Sequence, residues 1–193
     1  MRIGILALQG AFIEHKQALD KLHIESFEIR QRKDLAKPFD ALIIPGGEST
    51  TRANLLHKLD LMNPLRELIK SGLPVWGTCA GMILLAKEII GEQPHMGLMD
   101  ITVRRNAYGK QIDSFSQEVI IPQVSANPIP LVFIRAPWIE RAGDQVDILC
   151  RLNDRIVAAR QDNMLVTSFH PELTNNTDFV RYFLKMAQKQ PPQ

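Results

Sequence analysis

The amino-acid sequence predicts an α/β domain whose central sheet is mostly parallel in its first half. Short apolar runs suited to buried strands alternate there with segments of helical periodicity, an order typical of βαβ units with helices on both faces of the sheet. From Ile101 onwards the segments are short and strand-like, with turn residues between them, which predicts a mixed or antiparallel extension of that sheet. The 193 residues contain no internal repeat or linker, so we expect a single domain over residues 1–193.

Each element of the first half has its own local signal. Arg2–Leu8 is a short apolar run, and Ala11–Leu22 carries apolar residues at helical spacing. The run Ala41–Ile44 ends at a Pro-Gly-Gly sequence, which is typical of a turn. The predicted strands are Arg2–Leu8, Ile24–Ile29, Ala41–Ile44 and Pro74–Thr78. The predicted helices are Ala11–Leu22, Thr50–Lys58, Met62–Ser71 and Ala80–Ile90.

The second half is predicted from shorter segments separated by turn residues. Its predicted strands are Ile101–Val103, Glu118–Ile121, Leu131–Ile134, Val146–Leu152, Ile156–Ala159 and Met164–Phe169. Phe179–Ala187 predicts a closing helix, and the polar, Pro-rich tail Gln188–Gln193 is expected to fray.

Composition and charge exclude several classes of protein. The formal net charge is +2 without a long basic run, which argues against nucleic acid as the main partner because phosphate binding needs a concentrated basic face. The apolar stretch at the N-terminus is short, so the sequence predicts neither a signal peptide nor a membrane helix. Cys79 and Cys150 lie far apart without metal-ligand spacing, so we expect no metal site, and a cytoplasmic location where thiols stay reduced.

The segment Gly77–Gly81 (GTCAG) has the Gly-x-nucleophile-x-Gly pattern of a nucleophile elbow. It joins a predicted strand to a predicted helix, and the tight turn explains the glycine on either side of Cys79. Such a turn projects the sulfur from the carboxyl end of the sheet and places it at a helix N-terminus, which favours a thiolate. A buried structural cysteine is the alternative, and the flanking glycines make it the weaker one.

The segment Ser168–Glu172 (SFHPE) supplies a candidate base and a candidate orienting group. His170 can take a proton from Cys79 and return it to a leaving amine. Glu172 can hold the imidazole in the useful tautomer, as the third member of a catalytic triad does. A lone His at a strand end is usually structural, but a carboxylate two residues further on can reach the same ring.

The segment Pro45–Thr50 (PGGEST) is a candidate for half of an oxyanion hole. Two glycines after a strand let backbone N–H groups approach a ligand closely. The other half is the N–H of Ala80, the residue after the nucleophile. An ordinary turn with a Ser or Thr helix cap explains the segment nearly as well when it is considered alone.

The other His residues and the second cysteine are weaker candidates. No pair of His residues has His-x-x-x-His spacing, so we expect surface or second-shell roles for His15, His23, His57 and His95. Cys150 lies in a strand-like run with no base nearby in the sequence, which indicates a packing residue.

Together these motifs resemble the class I glutamine amidotransferases, and most closely the glutaminase subunits of two-subunit pyridoxal 5′-phosphate synthases. The matching stretches follow the family's order over nearly the whole chain. They are Gly4–Gly10 (GILALQG), Leu42–Thr51 (LIIPGGESTT), Trp76–Lys87 (WGTCAGMILLAK), Arg105–Asp113 (RNAYGKQID), Phe133–Pro137 (FIRAP), Arg155–Ala159 (RIVAA) and Ser168–Thr174 (SFHPELT). The departures, Ala7 and the C-terminal tail, touch none of the motifs.

The resemblance implies a fold, a site and a partner. The fold is expected to be a flavodoxin-like, three-layer α/β/α glutaminase domain. The implied site residues are the triad Cys79, His170 and Glu172; the oxyanion donors Gly47 and Ala80; the glutamine contacts Gly47, Glu48, Ser49, Arg105, Ile134 and Arg135; and Gln9, which links the site to the partner. That partner is expected to be a (β/α)8-barrel synthase that receives the ammonia. Pyridoxal phosphate is made on that partner, so no cofactor is expected on this chain.

Three rival functions remain open at this point. The first is an amidotransferase subunit of another pathway, for which the LQG, GGESTT, RNAYG and FIRAP motifs are not expected together. The second is a Cys peptidase or γ-glutamyl hydrolase on the same fold, which would cleave peptides or conjugates instead of free glutamine. The third is a non-catalytic redox sensor, but a sensor thiol does not need the proton-moving pair His170 and Glu172.

Overall fold

Helices pack against one long mixed sheet. The structure, a computed structural model, describes residues 1–105 and 114–189. Within these ranges the helices are α1 (Phe12–Asp20), α2 (Ser49–Lys58), α3 (Met62–Lys70), α4 (Ala80–Leu85) and α5 (Asp178–Gln188). The strands are β1 (Arg2–Leu6), β2 (Glu25–Ile29), β3 (Ala41–Ile44), β4 (Val75–Thr78), β5 (Ala86–Ile89), β6 (Met99–Arg104), β7 (Ser114–Ile121), β8 (Ser125–Ile134), β9 (Trp138–Ala142), β10 (Asp147–Leu152), β11 (Arg155–Gln161) and β12 (Met164–Thr167). Short 3₁₀ turns lie at Arg32–Ala36 and Pro171–Leu173.

The strand order explains why the predicted motifs meet. In the described part of the chain, ten strands form one sheet in the order β2-β1-β3-β4-β12-β11-β9-β6-β5, with β10 paired to β11. The first five strands are parallel to their neighbours, in the 2-1-3-4-5 arrangement of flavodoxin-like folds. The β12-β11, β11-β9 and β9-β6 pairs are antiparallel, whereas β5 and β6 are parallel. This confirms the predicted sheet, mostly parallel in its first half and mixed in its second.

Side chains of the central strands alternate between two hydrophobic cores. On β3, Ala41 and Ile43 contribute to one core, and Leu42 and Ile44 to the other. Helices α2, α3 and α4 pack in the core that contains Leu42, whereas α1 and α5 pack in the opposite one. Because the central strands are buried on both faces, their sequences are continuous apolar runs. The predicted three-layer α/β/α arrangement is confirmed.

Strands β7 and β8 form a separate antiparallel hairpin. The expectation that Glu118–Ile121 and Leu131–Ile134 extend the central sheet is therefore wrong, although both segments lie in strands. Phe133 of β8 meets Phe169 edge-on, with ring centroids 5.7 Å apart. This contact anchors the hairpin on the core and brings the end of β8 to the carboxyl edge of the central sheet.

The predicted helix Ala80–Ile90 is wrong beyond Leu85. Residues Ala86–Ile89 form β5, which pairs with β6 at the edge of the sheet. An unbroken apolar run is compatible with a buried helix or a buried strand, and periodicity alone cannot separate the two. The strand Trp138–Ala142 was not predicted. Gln188, predicted to belong to a frayed tail, is instead the last residue of α5, and residues 190–193 of that tail lie outside the described ranges. No described helix is both long and apolar enough to cross a membrane.

Candidate functional site

Cys79 lies at a sharp turn between β4 and α4. Its backbone has φ 49° and ψ −105°, a strained conformation for a residue with a side chain. A Cβ on Gly77 would lie 2.6 Å from the Gly81 carbonyl carbon, and a Cβ on Gly81 would lie 2.1 Å from the Ile44 carbonyl oxygen. Both flanking glycines are therefore required by close backbone contact. This is the geometry predicted for a nucleophile elbow.

Parallel pairing of β4 and β12 brings the Cys79 and His170 motifs together. Thr78 pairs with Thr167 at the carboxyl ends of the two strands, and the Cys79 N–H donates to the Thr167 carbonyl at 2.7 Å. His170 lies three residues after the end of β12, and its N–H donates to the Val132 carbonyl of β8 at 2.8 Å. Cys79 and His170 thus lie at the same edge of the sheet, where open α/β folds place their sites.

The His170 imidazole is held between a carboxylate and the thiol. Its Nδ1 lies 2.7 Å from Glu172 Oε1, and the Glu172 side chain is fully buried. Burial alone would lower the pKa of His170, but hydrogen bonds to Cys79 and Glu172, with the charges of both, raise it to about 10. Burial likewise opposes ionisation of Glu172, but the His15 and His170 imidazoles lower its pKa. At neutral pH, His170 is therefore charged and holds a proton that it can give to a leaving group.

The loop after β3 passes directly beside this pair. A Cβ on Gly46 would lie 2.3 Å from His170 Cε1 and 3.3 Å from Cys79 Cβ, so only glycine fits there. Gly47 has φ +151°. Helix α2 is capped by Glu48, whose carboxylate accepts from the Thr50 and Thr51 N–H groups. The alternative of a Ser or Thr cap is thus wrong, because Ser49 is the first helical residue and is buried.

The Glu48 carboxylate contacts Arg105. Arg105 is the one residue of the predicted Arg105–Asp113 motif that lies in the described part of the chain. Arg105 Nη2 donates to Glu48 Oε1 at 2.9 Å, and Nη1 donates to Glu92 Oε1 at 2.6 Å. Burial would raise the pKa of Glu48, but the N–H donors and the Arg105 charge lower it to about 2. Residues 106–113 of the predicted Arg105–Asp113 motif lie outside the described ranges. Arg105 and Glu48 therefore present a guanidinium and a carboxylate side by side.

The other predicted contacts reach the site from β1 and β8. Gln9 Oε1 accepts from the Glu48 N–H at 2.9 Å, so the segment after β1 contacts the loop after β3. The Ile134 carbonyl, at the end of β8, lies 4.0 Å from Cys79 Sγ. Arg135 follows it with φ 44°. All the predicted site residues that the structure describes thus lie around the Cys79 thiol or the loop beside it.

Arg52 of α2 is a buried charge that the sequence analysis missed. It is 0% exposed. Its guanidinium donates to the carbonyls of Pro45, Gln9 and Gly46, the last at 2.7 Å. Burial lowers its pKa to about 10, against the raising effect of the charges of Cys79 and Glu48. An Arg in an amphipathic helix is normally exposed on the surface, so nothing in the sequence predicted this contact.

Of the remaining candidates, His15 and Cys150 are buried. Cys150 is in β10, and burial raises the pKa of its thiol to about 11, which disfavours a reactive thiolate. His15 of α1 is 1% exposed and contacts Glu172, as described below. Among the described residues, no group of three or more His, Cys, Asp or Glu side chains is arranged to hold a metal ion.

Comparison with known proteins relates this geometry to a family. A family model described as the SNO glutamine amidotransferase family matches residues 5–189. The pyridoxal 5′-phosphate synthase subunit PdxT of Carboxydothermus hydrogenoformans is 54% identical over 190 residues, which cover 98% of this chain and 99% of that protein. The protein of the same description from Haemophilus influenzae is 52% identical over 192 residues, covering 97% and 99%.

A solved structure shows the same fold. The crystal structure of a glutamine amidotransferase superposes with a TM-score of 0.90 at 45% sequence identity, over 96% of this chain and 98% of that one. The family model covers most of the chain, and the relatives exceed half identity over nearly their full lengths. The chain belongs to the SNO glutamine amidotransferase family.

Proposed function

We propose that this chain is the glutaminase subunit of a pyridoxal 5′-phosphate synthase. It acts as a single domain that hydrolyses L-glutamine to L-glutamate and ammonia, with Cys79, His170 and Glu172 as its catalytic triad. The observation that carries the proposal is a thiol on a strained elbow, beside an imidazole that a buried carboxylate orients. The relatives that share this chain's length and half its sequence are described as subunits of that synthase.

In the first half-reaction, the Cys79 thiolate attacks the side-chain amide carbon of glutamine. The sulfur–carbon bond forms, and the amide oxygen becomes an oxyanion held by the N–H groups of Gly47 and Ala80. The Gly46 carbonyl is engaged by Arg52 and by the Ala11 N–H. The Gly47 N–H of the same planar peptide points the opposite way and stays available. The carbon–nitrogen bond then breaks as His170 gives its proton to the departing nitrogen, which leaves as ammonia.

In the second half-reaction, water hydrolyses the γ-glutamyl thioester. Neutral His170 takes a proton from the water as its oxygen attacks the thioester carbon. The carbon–sulfur bond breaks, glutamate leaves, and the Cys79 thiolate and protonated His170 are restored. Glu172 keeps the same ring nitrogen of His170 occupied in both steps, so the other nitrogen can give and take the proton.

The substrate's own charges suit the groups beside the thiol. We assign the glutamine contacts to Gly47, Glu48, Ser49, Arg105 and the Ile134–Arg135 segment. A guanidinium binds a carboxylate well, and a carboxylate binds an ammonium group, so Arg105 and Glu48 match the two charged groups of a free amino acid. A peptide lacks this pair of charges at an internal glutamine, which favours free glutamine over peptide substrates.

Ammonia is useful to a synthase only while it is unprotonated. We therefore propose that the chain acts in a complex with a (β/α)8-barrel synthase subunit, which receives ammonia by a sheltered route and carries pyridoxal phosphate formation itself. Gln9 is our candidate for sensing that partner, because its side chain bonds the Glu48 N–H, next to the proposed oxyanion donor Gly47.

Ammonia release with and without the synthase subunit tests this proposal. We expect slow hydrolysis of glutamine by the chain alone, because a flip of the Gly46–Gly47 peptide there turns one oxyanion donor away, and a much higher rate in the complex that stabilises the productive loop. A single oxyanion donor accounts for roughly 10²–10³ in turnover. Peptides and γ-glutamyl conjugates should release nothing. A rate that the synthase leaves unchanged would contradict the activation, and cleavage of conjugates in place of glutamine would contradict the assigned substrate.

A pair of variants in the same assay tests the place of Gln9. Gln9→Ala should lower the stimulated rate more than the basal rate, because it loses the bond to the Glu48 N–H. Gln17→Ala, on an exposed position of α1, is the matched control and should change neither rate. Equal losses from Gln9→Ala in both states would remove Gln9 from the activation.

A further inference from the structure

His15 is a buried imidazole with no part in the mechanism described so far. It lies in α1 and is 1% exposed. Its Nε2 is 3.2 Å from Thr78 Oγ1, next to the Cys79 elbow, and 3.5 Å from Glu172 Oε2. Its ring meets Trp76 edge-on, with centroids 5.5 Å apart. One nitrogen of His15 thus faces both the strand that carries the nucleophile and the carboxylate that orients His170.

The two carboxylate oxygens of Glu172 have different surroundings. Oε1 lies 2.7 Å from His170 Nδ1. Oε2 is buried, and within the described residues it has no hydrogen bond of ordinary geometry. A buried carboxylate oxygen without a donor is costly, and the carboxylate is then free to rotate away from its other partner. The group placed to prevent this is His15 Nε2.

His15 is placed to act as a neutral hydrogen-bond donor. Burial lowers its pKa, against the raising effect of Glu172, so the ring is neutral at neutral pH and carries one N–H. The other charged or titratable groups that act on it are His170, Glu14 and Arg52. In the tautomer with the proton on Nε2, the possible acceptors of that N–H are Thr78 Oγ1 at 3.2 Å and Glu172 Oε2 at 3.5 Å, and the neutral ring adds no charge beside the His170 cation.

We propose that His15 is a positioning residue for the glutaminase reaction: its Nε2, 3.5 Å from Glu172 Oε2, is placed to donate to this oxygen and so to keep Oε1 on His170. The inference rests on the proposed function. His15 reaches no substrate atom in this role, and it acts on the proton-moving group through Glu172. The rival explanation is that His15 only fills space against Trp76.

Two amide substitutions separate these explanations. In His15→Gln the amide nitrogen reaches approximately the place of Nε2, so the donor to Glu172 is kept. In His15→Asn the amide is one methylene shorter and leaves Oε2 without a donor. Both side chains are polar and no larger than about the size of an imidazole. If His15 only fills space, each variant should therefore lose activity only in proportion to the fraction of protein that fails to fold.

The measurements are kcat and KM for glutamine in the complex with the synthase, and the His170 pKa by NMR. We expect His15→Asn to lower kcat on the order of tenfold, the size typical of a buried acceptor that loses its donor. KM should change little, and the His170 pKa should fall because a mobile Glu172 supports the charged ring less. His15→Gln should retain most of the kcat and the raised His170 pKa.

Other outcomes would overturn the inference. Equal kcat values for the two variants, or a wild-type His170 pKa in His15→Asn, would leave His15 a packing residue. If the wild-type complex releases no ammonia from glutamine, the proposed function itself fails, which is a different result from a wild-type rate in His15→Asn. Should His15→Asn not fold, His15→Gln carries the test, and a kcat or a His170 pKa well below the wild-type value in the folded His15→Gln protein would also overturn the role.

Discussion

Cys79→Ala is expected to abolish glutamine hydrolysis in the complex while the fold remains. We expect a loss on the order of 10⁶-fold, the size seen when the nucleophile of a catalytic triad is removed. The physical reason is that the thiolate forms the only covalent bond to the substrate in the proposed mechanism. Initial rates of ammonia release, with folding checked by circular dichroism, measure the effect. Cys79→Ser should also be inactive, because a hydroxyl is far less acidic than a thiol and does not supply an ionised nucleophile at neutral pH.

Cys150→Ala is the matched control for this prediction. Cys150 is buried in β10, and its raised pKa keeps it a neutral thiol, so its removal should leave kcat within a few-fold of wild type. Near wild-type ammonia release by Cys79→Ala would contradict the proposed mechanism. Inactive Cys150→Ala together with active Cys79→Ala would show that the nucleophile is the other thiol.

His170→Asn is expected to have the second largest effect. General acid–base catalysis typically supplies on the order of 10²–10⁴-fold, and His170 is assigned that work in both half-reactions. Asn occupies part of the imidazole volume but moves no proton, so kcat should fall by this factor with a smaller change in KM. Steady-state kinetics on glutamine in the complex measure it.

Glu172→Gln and His23→Asn complete the comparison. Glu172→Gln should cost much less than His170→Asn, because an amide oxygen can still accept from the imidazole. His23→Asn is the control: the residue is exposed and has φ 55°, a conformation that Asn tolerates, so activity should not change. Equal and mild losses from His170→Asn and Glu172→Gln would contradict the roles assigned to the pair.

The parallel half of the fold could be predicted because its signals are local. The strand Ala41–Ile44 has the same bounds in the sequence prediction and in the structure, and alternating helices imply a parallel sheet. The failure at Ala86–Ile89 has a tertiary cause, because these residues become a strand only through pairing with β6. The separation of the β7–β8 hairpin from the central sheet depends likewise on long-range packing, which periodicity does not report.

Some residues of the candidate site could likewise be predicted from local signals in the sequence, and others could not. The elbow around Cys79 could be predicted because the two glycines in its motif are required by backbone contacts that are always made at such a turn. Arg52 and His15 could not be assigned, since nothing local distinguishes a buried Arg or His from an exposed one in a helix. Their contacts, to the loop carbonyls and to Glu172, exist only because α1 and α2 begin at the carboxyl edge of the sheet, beside Cys79.

The most direct test of the central claim is to trap the nucleophile with a glutamine analogue that carries an electrophile at its side-chain carbon. The complex is incubated with the analogue, digested, and its peptides are mapped by mass spectrometry. The mechanism predicts one covalent label, on Cys79, with loss of ammonia release in proportion to labelling and protection by glutamine. A label found only on Cys150, or inactivation without any label on Cys79, would contradict it.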